Sequence, residues 1–274
     1  SPPQENLDAD MLSRLQHPRS TGRVKSGQLW ALGKHRLLCA DSLAEGILSA
    51  LCAGHKVPLV ITDPPYGIDY ASRMAKPANR KARIANDGAA GFEGFLERAL
   101  PALREVMATG ATLYWFAAGG GPSPALGQSL LAISHHFTLQ NCLVWDKETP
   151  GLGWRWRRSW EAVIEASRGK PSHWYGGTHR SNVLHWPRLI PDEKDHPTPK
   201  PVELLAELVR VSSRCGEVVL DPFAGSGSTL IAAQLTGRRC WAVEIEPGYC
   251  ESILERWERL TGEQSHMVED GNGR

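Results

Sequence analysis

Val218-Val219-Leu220-Asp221-Pro222-Phe223-Ala224-Gly225-Ser226-Gly227-Ser228-Thr229 holds the fold of this chain in miniature. Three apolar β-formers end in an acid, a Gly-x-Gly turn follows, and Ser228-Thr229 opens a helical pattern lasting to Leu235. The next apolar run, 239–243, stops at Glu244. Strand, glycine turn, helix, strand and acid is the layout of a nucleotide site. Glycines let the backbone approach a ligand, and a carboxylate at the tip of the second strand can accept hydrogen bonds from ribose hydroxyls. The stretch lacks the G-K-[S/T] ending of a P-loop and the three-glycine spacing of a dinucleotide fingerprint, so a nucleoside without phosphate fits better. The competing reading is a tight strand-to-helix turn without a ligand, and the position of Glu244 weighs against it.

The same rhythm extends outward in both directions. Short apolar runs at 35–40, 57–62, 111–117, 137–145, 161–167, 217–220 and 239–243 read as strands. They alternate with helical patterns at 42–51, 92–107, 124–134, 201–213, 228–235 and 247–260, with Pro101 a candidate kink in the second. This alternation predicts an α/β fold with an open, mostly parallel sheet and helices on both faces. Residues 1–26 read as a flexible N-terminal extension, 27–262 as the catalytic domain and 263–274 as a C-terminal tail. Two stretches break the rhythm. Residues 71–91, a mobile loop on this reading, carry Arg73, Lys76, Arg80, Lys81 and Arg83; residues 147–191 carry five tryptophans among arginines. Loops this long in a compact domain are usually functional, which marks 147–191 as the target-recognition region.

Composition narrows the field only slightly. With 31 basic and 30 acidic residues the formal net charge is +1, so any nucleic-acid surface must concentrate its positive charge locally. The six cysteines show no C-x-x-C pair, which argues against a zinc ribbon or a disulfide scaffold, and metal is expected to play no part. Without a secretory leader pattern or a long apolar run, a cytoplasmic protein is expected.

Asp63-Pro64-Pro65-Tyr66-Gly67 follows the apolar run Leu59-Val60-Ile61 and so stands at the carboxyl edge of the sheet, where open α/β sheets bind ligands. An exocyclic amine on a nucleobase is a poor nucleophile because its lone pair is delocalised into the ring. A carboxylate and a backbone carbonyl accepting its two N–H bonds would favour a tetrahedral nitrogen for in-line attack on a sulfonium methyl. Asp63 and the Pro64 carbonyl are the natural pair, Pro65 stiffens the turn, and Tyr66 offers a stacking face for a base swung out of the duplex. Taken alone, the pentapeptide is also a plain proline-rich turn.

Together, Asp63-Pro-Pro-Tyr66 and Asp221-Pro-Phe-Ala-Gly-Ser-Gly227 resemble the catalytic and cofactor motifs of amino-group DNA methyltransferases. The catalytic motif comes first, as in the β group. The stretches 213–220, 249–257 and 85–87 are similar to phage and ParB-associated DNA methylases, whereas 88–94 departs from them. The resemblance implies a Rossmann-like methyltransferase fold with S-adenosyl-L-methionine as cofactor. It implies Asp221, Phe223, Gly225 and Gly227 around the methionine and ribose, Glu244 on the ribose hydroxyls, Thr198 and Lys200 near the cofactor carboxylate, and Asp41 facing the adenine amine. A solvated surface lysine competes for Lys200, and a helix N-cap for Asp41.

The expected reaction is methyl transfer to N6 of adenine, with N4 of cytosine as the nearest rival and a silent DNA-binding module as the alternative from another class. Expected partners are double-stranded DNA and a second copy of the chain as a homodimer, with no membrane. The densest basic and aromatic patch is Trp154-Arg155-Trp156-Arg157-Arg158. With Arg80, Lys81 and Arg83, its residues Arg155, Trp156, Arg157 and Arg158 are the candidate DNA contacts. A half-buried strand competes for 154–158, and a solvated loop face for 71–91.

Overall fold

The computed structural model describes residues 22–65, 91–119, 124–151, 155–187 and 200–268. Among these, ten strands form one sheet: β1 (Leu29–Leu32), β2 (His35–Cys39), β3 (Val57–Thr62), β4 (Met107–Ala118), β5 (Thr138–Asp146), β6 (Trp160–Ser167), β7 (Val183–His185), β8 (Val218–Asp221), β9 (Arg239–Glu244) and β10 (His266–Met267). Six helices accompany them: α1 (Ile47–Cys52), α2 (Phe92–Val106), α3 (Ala125–His136), α4 (Val202–Ser212), α5 (Ser228–Leu235) and α6 (Pro247–Thr261). The strand order is β10-β1-β2-β9-β8-β3-β4-β6-β5-β7. The central five, β2 to β4 in that order, are parallel; β6 runs against both β4 and β5.

Alternation along the strands sorts side chains onto two buried faces. Leu59, Ile61, Val219 and Ala242 pack with α4, α5 and α6, while Val60, Leu220 and Val243 pack with α1, α2 and α3. The sheet is therefore covered on both sides, as near-continuous apolar parallel strands require. Pro58, which has no N–H for the ladder, sits where the β3–β4 register shifts. Pro101 lies exposed inside an unbroken α2.

Three expectations need correction. The helix expected over 42–51 starts only at Ile47, because the Asp41 carboxylate accepts the Leu43 N–H at 2.9 Å in a separate turn that Gly46 closes at φ 77°. Residues 147–191 are not one long loop, since Trp160–Ser167 is the buried strand between β4 and β5. Residues of both flanks join the domain: Val24 is buried, the Arg23 guanidinium pairs with Glu258 at 2.7 Å, and β10 pairs with β1. No helix among the described residues is long and apolar enough to cross a membrane.

One buried side chain makes the fold sensitive to acid. His35 Nδ1 accepts the Cys240 N–H at 2.9 Å and Nε2 meets Gln234 Oε1 at 2.7 Å, so the ring is neutral with its proton on Nε2. Burial lowers its pKa to about 4, with the Gln234 contact opposing and Lys34 assisting. The unfolded chain takes up this proton near pH 6.5 and the folded one only near 4, so stability present above 6.5 drains away as pH falls through that window. The expected slope is about 1.4 kcal/mol per pH unit. Urea melts from about pH 7 to 4.5 should show a shallower decline for His35→Gln than for the parent protein; parallel declines would refute the assignment.

Candidate active site

β8 leads through α5 to β9 on one side of the sheet, while the chain after β3 returns as β4 on the other. The gap between the carboxyl ends of β3 and β8 is thus the switch point of the sheet, where side chains can approach a ligand without a crossover in the way. The pairing of Val60 with Leu220 brings the ends of these two strands level. A pocket opens there, lined by Asp63, Phe116, Lys200, Asp221, Phe223, Gly225 and Thr229 among others. Two motifs far apart in sequence meet in it.

The glycine turn is built for close approach. Gly225 has φ 52° and Gly227 φ 77°, and a Cβ on Gly227 would come within 2.7 Å of the Ile253 side chain on α6. Arg256, also on α6, donates to the Ser226 carbonyl at 2.9 Å and braces the turn from below. Glu244, buried at the end of β9, accepts the Gly225 N–H at 2.7 Å and the Glu246 N–H at 2.9 Å, one on each oxygen. Its orientation is thereby fixed by backbone. Burial raises its pKa, and these N–H donors partly offset the rise.

Asp221 is the most perturbed acid of the pocket. Burial pushes its pKa to about 7 against the Thr229 hydroxyl and the Phe223 N–H, while the charges of Asp63 and Glu244 push the same way as burial. Three carboxylates therefore converge on one cavity, and Lys200 is the single cation lining it among the described residues. Such a set repels phosphate and suits a cationic nucleoside; with the glycine cradle it fits S-adenosylmethionine, whose sulfonium and ammonium are positive.

Asp63 follows β3 directly, half-buried beside buried Pro64. Its Oδ2 accepts a hydrogen bond from the ammonium of Lys200, which precedes α4 and is only 6% exposed. The surface-lysine reading of Lys200 is therefore wrong. The ammonium lies 5.3 Å from the Phe116 ring centre and 6.0 Å from that of Trp145, and 3.3 Å from Glu161 Oε2. Asp41, by contrast, is exposed at the end of β2, next to Ala40, whose N–H bonds the Glu244 carbonyl. Phe223 packs against Phe95 of α2 at 5.2 Å.

The turn between β5 and β6 leaves the same sheet edge as Asp63, since β5 runs with β4 and β6 returns. Arg155, Trp156, Arg157 and Arg158 are all exposed on it, Trp156 at 97%, so the half-buried strand is excluded for them. The Arg157 guanidinium donates to the Gly151 and Pro150 carbonyls and closes the turn. Tyr66, Arg80, Lys81, Arg83, Trp154 and Thr198 lie outside the described residues. Sequence reasoning missed Glu161, Lys147, Phe116 and Trp145, which surround Lys200. An acid opening an otherwise apolar strand, Glu161, was the one available signal.

Fold and pocket together define an S-adenosylmethionine-dependent methyltransferase. The particular family follows from comparison: residues 57–255 match the DNA methylase family of N6/N4 methyltransferases, and the chain belongs to it. It is thus a DNA methyltransferase. It is similar to the Type II methyltransferase M2.MboI of Moraxella bovis, 25% identical over 228 residues, which is 76% of this chain and 82% of that protein. It is also similar to the DNA adenine methyltransferase YhdJ of Escherichia coli strain K12, 36% identical over 101 residues, covering 36% of this chain and 34% of that one. Among solved structures, the Thermus thermophilus protein TTHA0409, a DNA modification methylase by its description, complexed with S-adenosyl-L-methionine, superposes with a TM-score of 0.61 at 26% identity, covering 88% of this chain and 100% of that one.

Proposed function

We propose that this enzyme methylates N6 of adenine at specific sites in double-stranded DNA. The observation that carries the reading is that Asp63, at the end of β3, lines the same pocket as Asp221 and Gly225 of the cofactor turn. An amine held by Asp63 would stand within reach of a methyl group presented there. When bound, the cofactor supplies an electrophilic methyl on sulfur. Asp221, Phe223, Gly225, Gly227 and Glu244 hold it, with Thr198 and Lys200 toward its carboxylate and Asp41 toward its adenine. Asp63 and the Pro64 carbonyl accept the N–H bonds of the target amine and direct its lone pair at that methyl; as the N–C bond forms, the amine proton is lost and the C–S bond breaks. Pro65 keeps the turn rigid and Tyr66 stacks on the extruded base.

An aspartate rather than a serine at position 63 favours adenine over cytosine, and YhdJ, an adenine enzyme by name, supports the same choice. The cytoplasm is where such a substrate and cofactor meet, and nothing in this reading depends on a second copy. Mapping modified bases in DNA from cells expressing the protein is the direct test. N6-methyladenine confined to one sequence context supports the proposal. Methyl groups only on cytosine N4 would move the enzyme to that class, and cofactor binding with no transfer to any DNA would reduce it to a binding module.

Arg155, Arg157 and Arg158, with Arg80, Lys81 and Arg83, are assigned to the DNA backbone, and Trp156 to a base or sugar face. The triple change of Arg155, Arg157 and Arg158 to Ala is expected to weaken duplex binding and to flatten its dependence on salt. Each lost phosphate contact removes about 0.9 from the slope of log affinity against log salt concentration. Cofactor affinity should not move. An unchanged slope in a titration from low to moderate salt would take this turn out of the DNA interface.

A further inference from the structure

Across the carboxyl edge of the sheet, acids and bases alternate along the strand order. Asp63 follows β3, Lys200 reaches in from the start of α4, Glu161 is the second residue of β6, and Lys147 follows β5. Lys200 donates to Asp63 and lies 3.3 Å from Glu161 Oε2, while Lys147 Nζ donates to Glu161 Oε1 at 2.5 Å. Lys200 and Glu161 have side-chain exposures of 6% and 13%. Phe116 and Trp145 present their rings to the Lys200 ammonium, meet edge to face at 84°, and are fixed by the Trp145 N–H donating to the Trp186 carbonyl at 2.8 Å. Removing a single charge from such a buried series leaves its neighbour uncompensated.

We propose that Glu161 is a positioning residue for methyl transfer: it holds the Lys200 ammonium between itself and Asp63, and Lys200 in turn fixes the Asp63 carboxylate toward the target amine. The proposal rests on the reading of Asp63 given above. Geometry places Glu161 two strands from Asp63, so it acts on the substrate only through Lys200. Burial alone would raise the Glu161 carboxyl, but the charges of Lys200 and Lys147 hold it below the ordinary carboxylate range. Burial would likewise lower Lys200, and Asp63 and Glu161 raise it instead, so both partners stay ionised. An ionised Lys200 keeps Asp63 an acceptor for the amine rather than a protonated donor.

Single-turnover transfer to a duplex at saturating cofactor, measured for the parent, Glu161→Gln, Asp63→Asn and the double variant, tests this. Glu161→Gln is expected to slow transfer by about 10–100-fold, the usual cost of losing a partner that orients a reacting group, with cofactor affinity by calorimetry nearly unchanged. Glu161→Asp should recover part of the rate. In the Asp63→Asn background the further change at Glu161 should add little, because both act on one element. Full multiplication of the two losses, or a lowered melting temperature with parental rate in Glu161→Gln, would overturn the proposal. A parental rate in Asp63→Asn alone would overturn the reading of the site and this inference with it. Should Glu161→Gln fail to fold, Lys147→Met removes the outer anchor from a more exposed position, and the same cycle with Asp63→Asn is expected to show a weaker loss that again does not multiply.

Discussion

Asp63→Ala is expected to lower the single-turnover rate of methyl transfer by about 10²–10³-fold, the cost of losing one oriented acceptor or donor at a polar transition state. Cofactor and DNA binding should stay largely intact. The split follows from position. The carboxylate stands on the turn after β3, while the proposed ribose ligand Glu244 and the glycine turn hang from β9 and β8. It accepts from Lys200, which lies outside the glycine turn, so truncation leaves the backbone of that cradle in place. It does leave a buried ammonium facing Glu161 alone, and Asp63→Asn, which keeps an acceptor oxygen, is the cleaner companion variant. Tritiated cofactor with adenine-containing and cytosine-containing duplexes reads both the rate and the base. A parental rate for the alanine variant would remove Asp63 from the mechanism.

Much of this site was readable from the chain because its key acids end strands. Asp63, Asp221 and Glu244 each close an apolar run, and the carboxyl edge of a parallel sheet gathers such residues wherever the strands lie in the order. Glu161 and Lys147 were not readable, because their meeting with Lys200 depends on β6 inserting antiparallel between β4 and β5, a pairing that no local pattern encodes. Strand length set the other limit. β1, β7 and β10 have four, three and two residues, too few for alternation to register, and they are held by neighbours rather than by their own propensity. The late start of α1 has a similar cause: residues 42–46 carry a helical apolar spacing, but Asp41 offers the backbone a competing turn.

Asp221→Asn should shift stability and cofactor binding in opposite directions. The parent carboxyl has its ordinary value near 3.8 in the unfolded chain and about 7 in the folded one, chiefly through burial. Between those values the unfolded chain has released a proton that the folded one retains, so stability falls as pH rises from about 4 to 7 and stays low above. At about 1.4 kcal/mol per pH unit, the penalty at about pH 8 is on the order of 4 kcal/mol. Asparagine carries no charge to bury and still offers an oxygen to the Phe223 N–H, now bonded at 3.2 Å. Without cofactor the variant should therefore melt higher than the parent at about pH 8, with the two curves converging toward about pH 4. A cationic cofactor reverses the preference, because its positive charge favours the ionised acid. Parent affinity should tighten as pH rises through about 7 with release of a proton on binding, whereas the asparagine protein should bind more weakly and with less dependence on pH. Melting curves with and without S-adenosylmethionine at about pH 5 and 8, with calorimetry in buffers of different ionisation heat, measure each arm. A variant less stable than the parent at the higher pH would show that Asp221 is ionised and well solvated in the free enzyme, and equal affinities there would separate it from the cofactor.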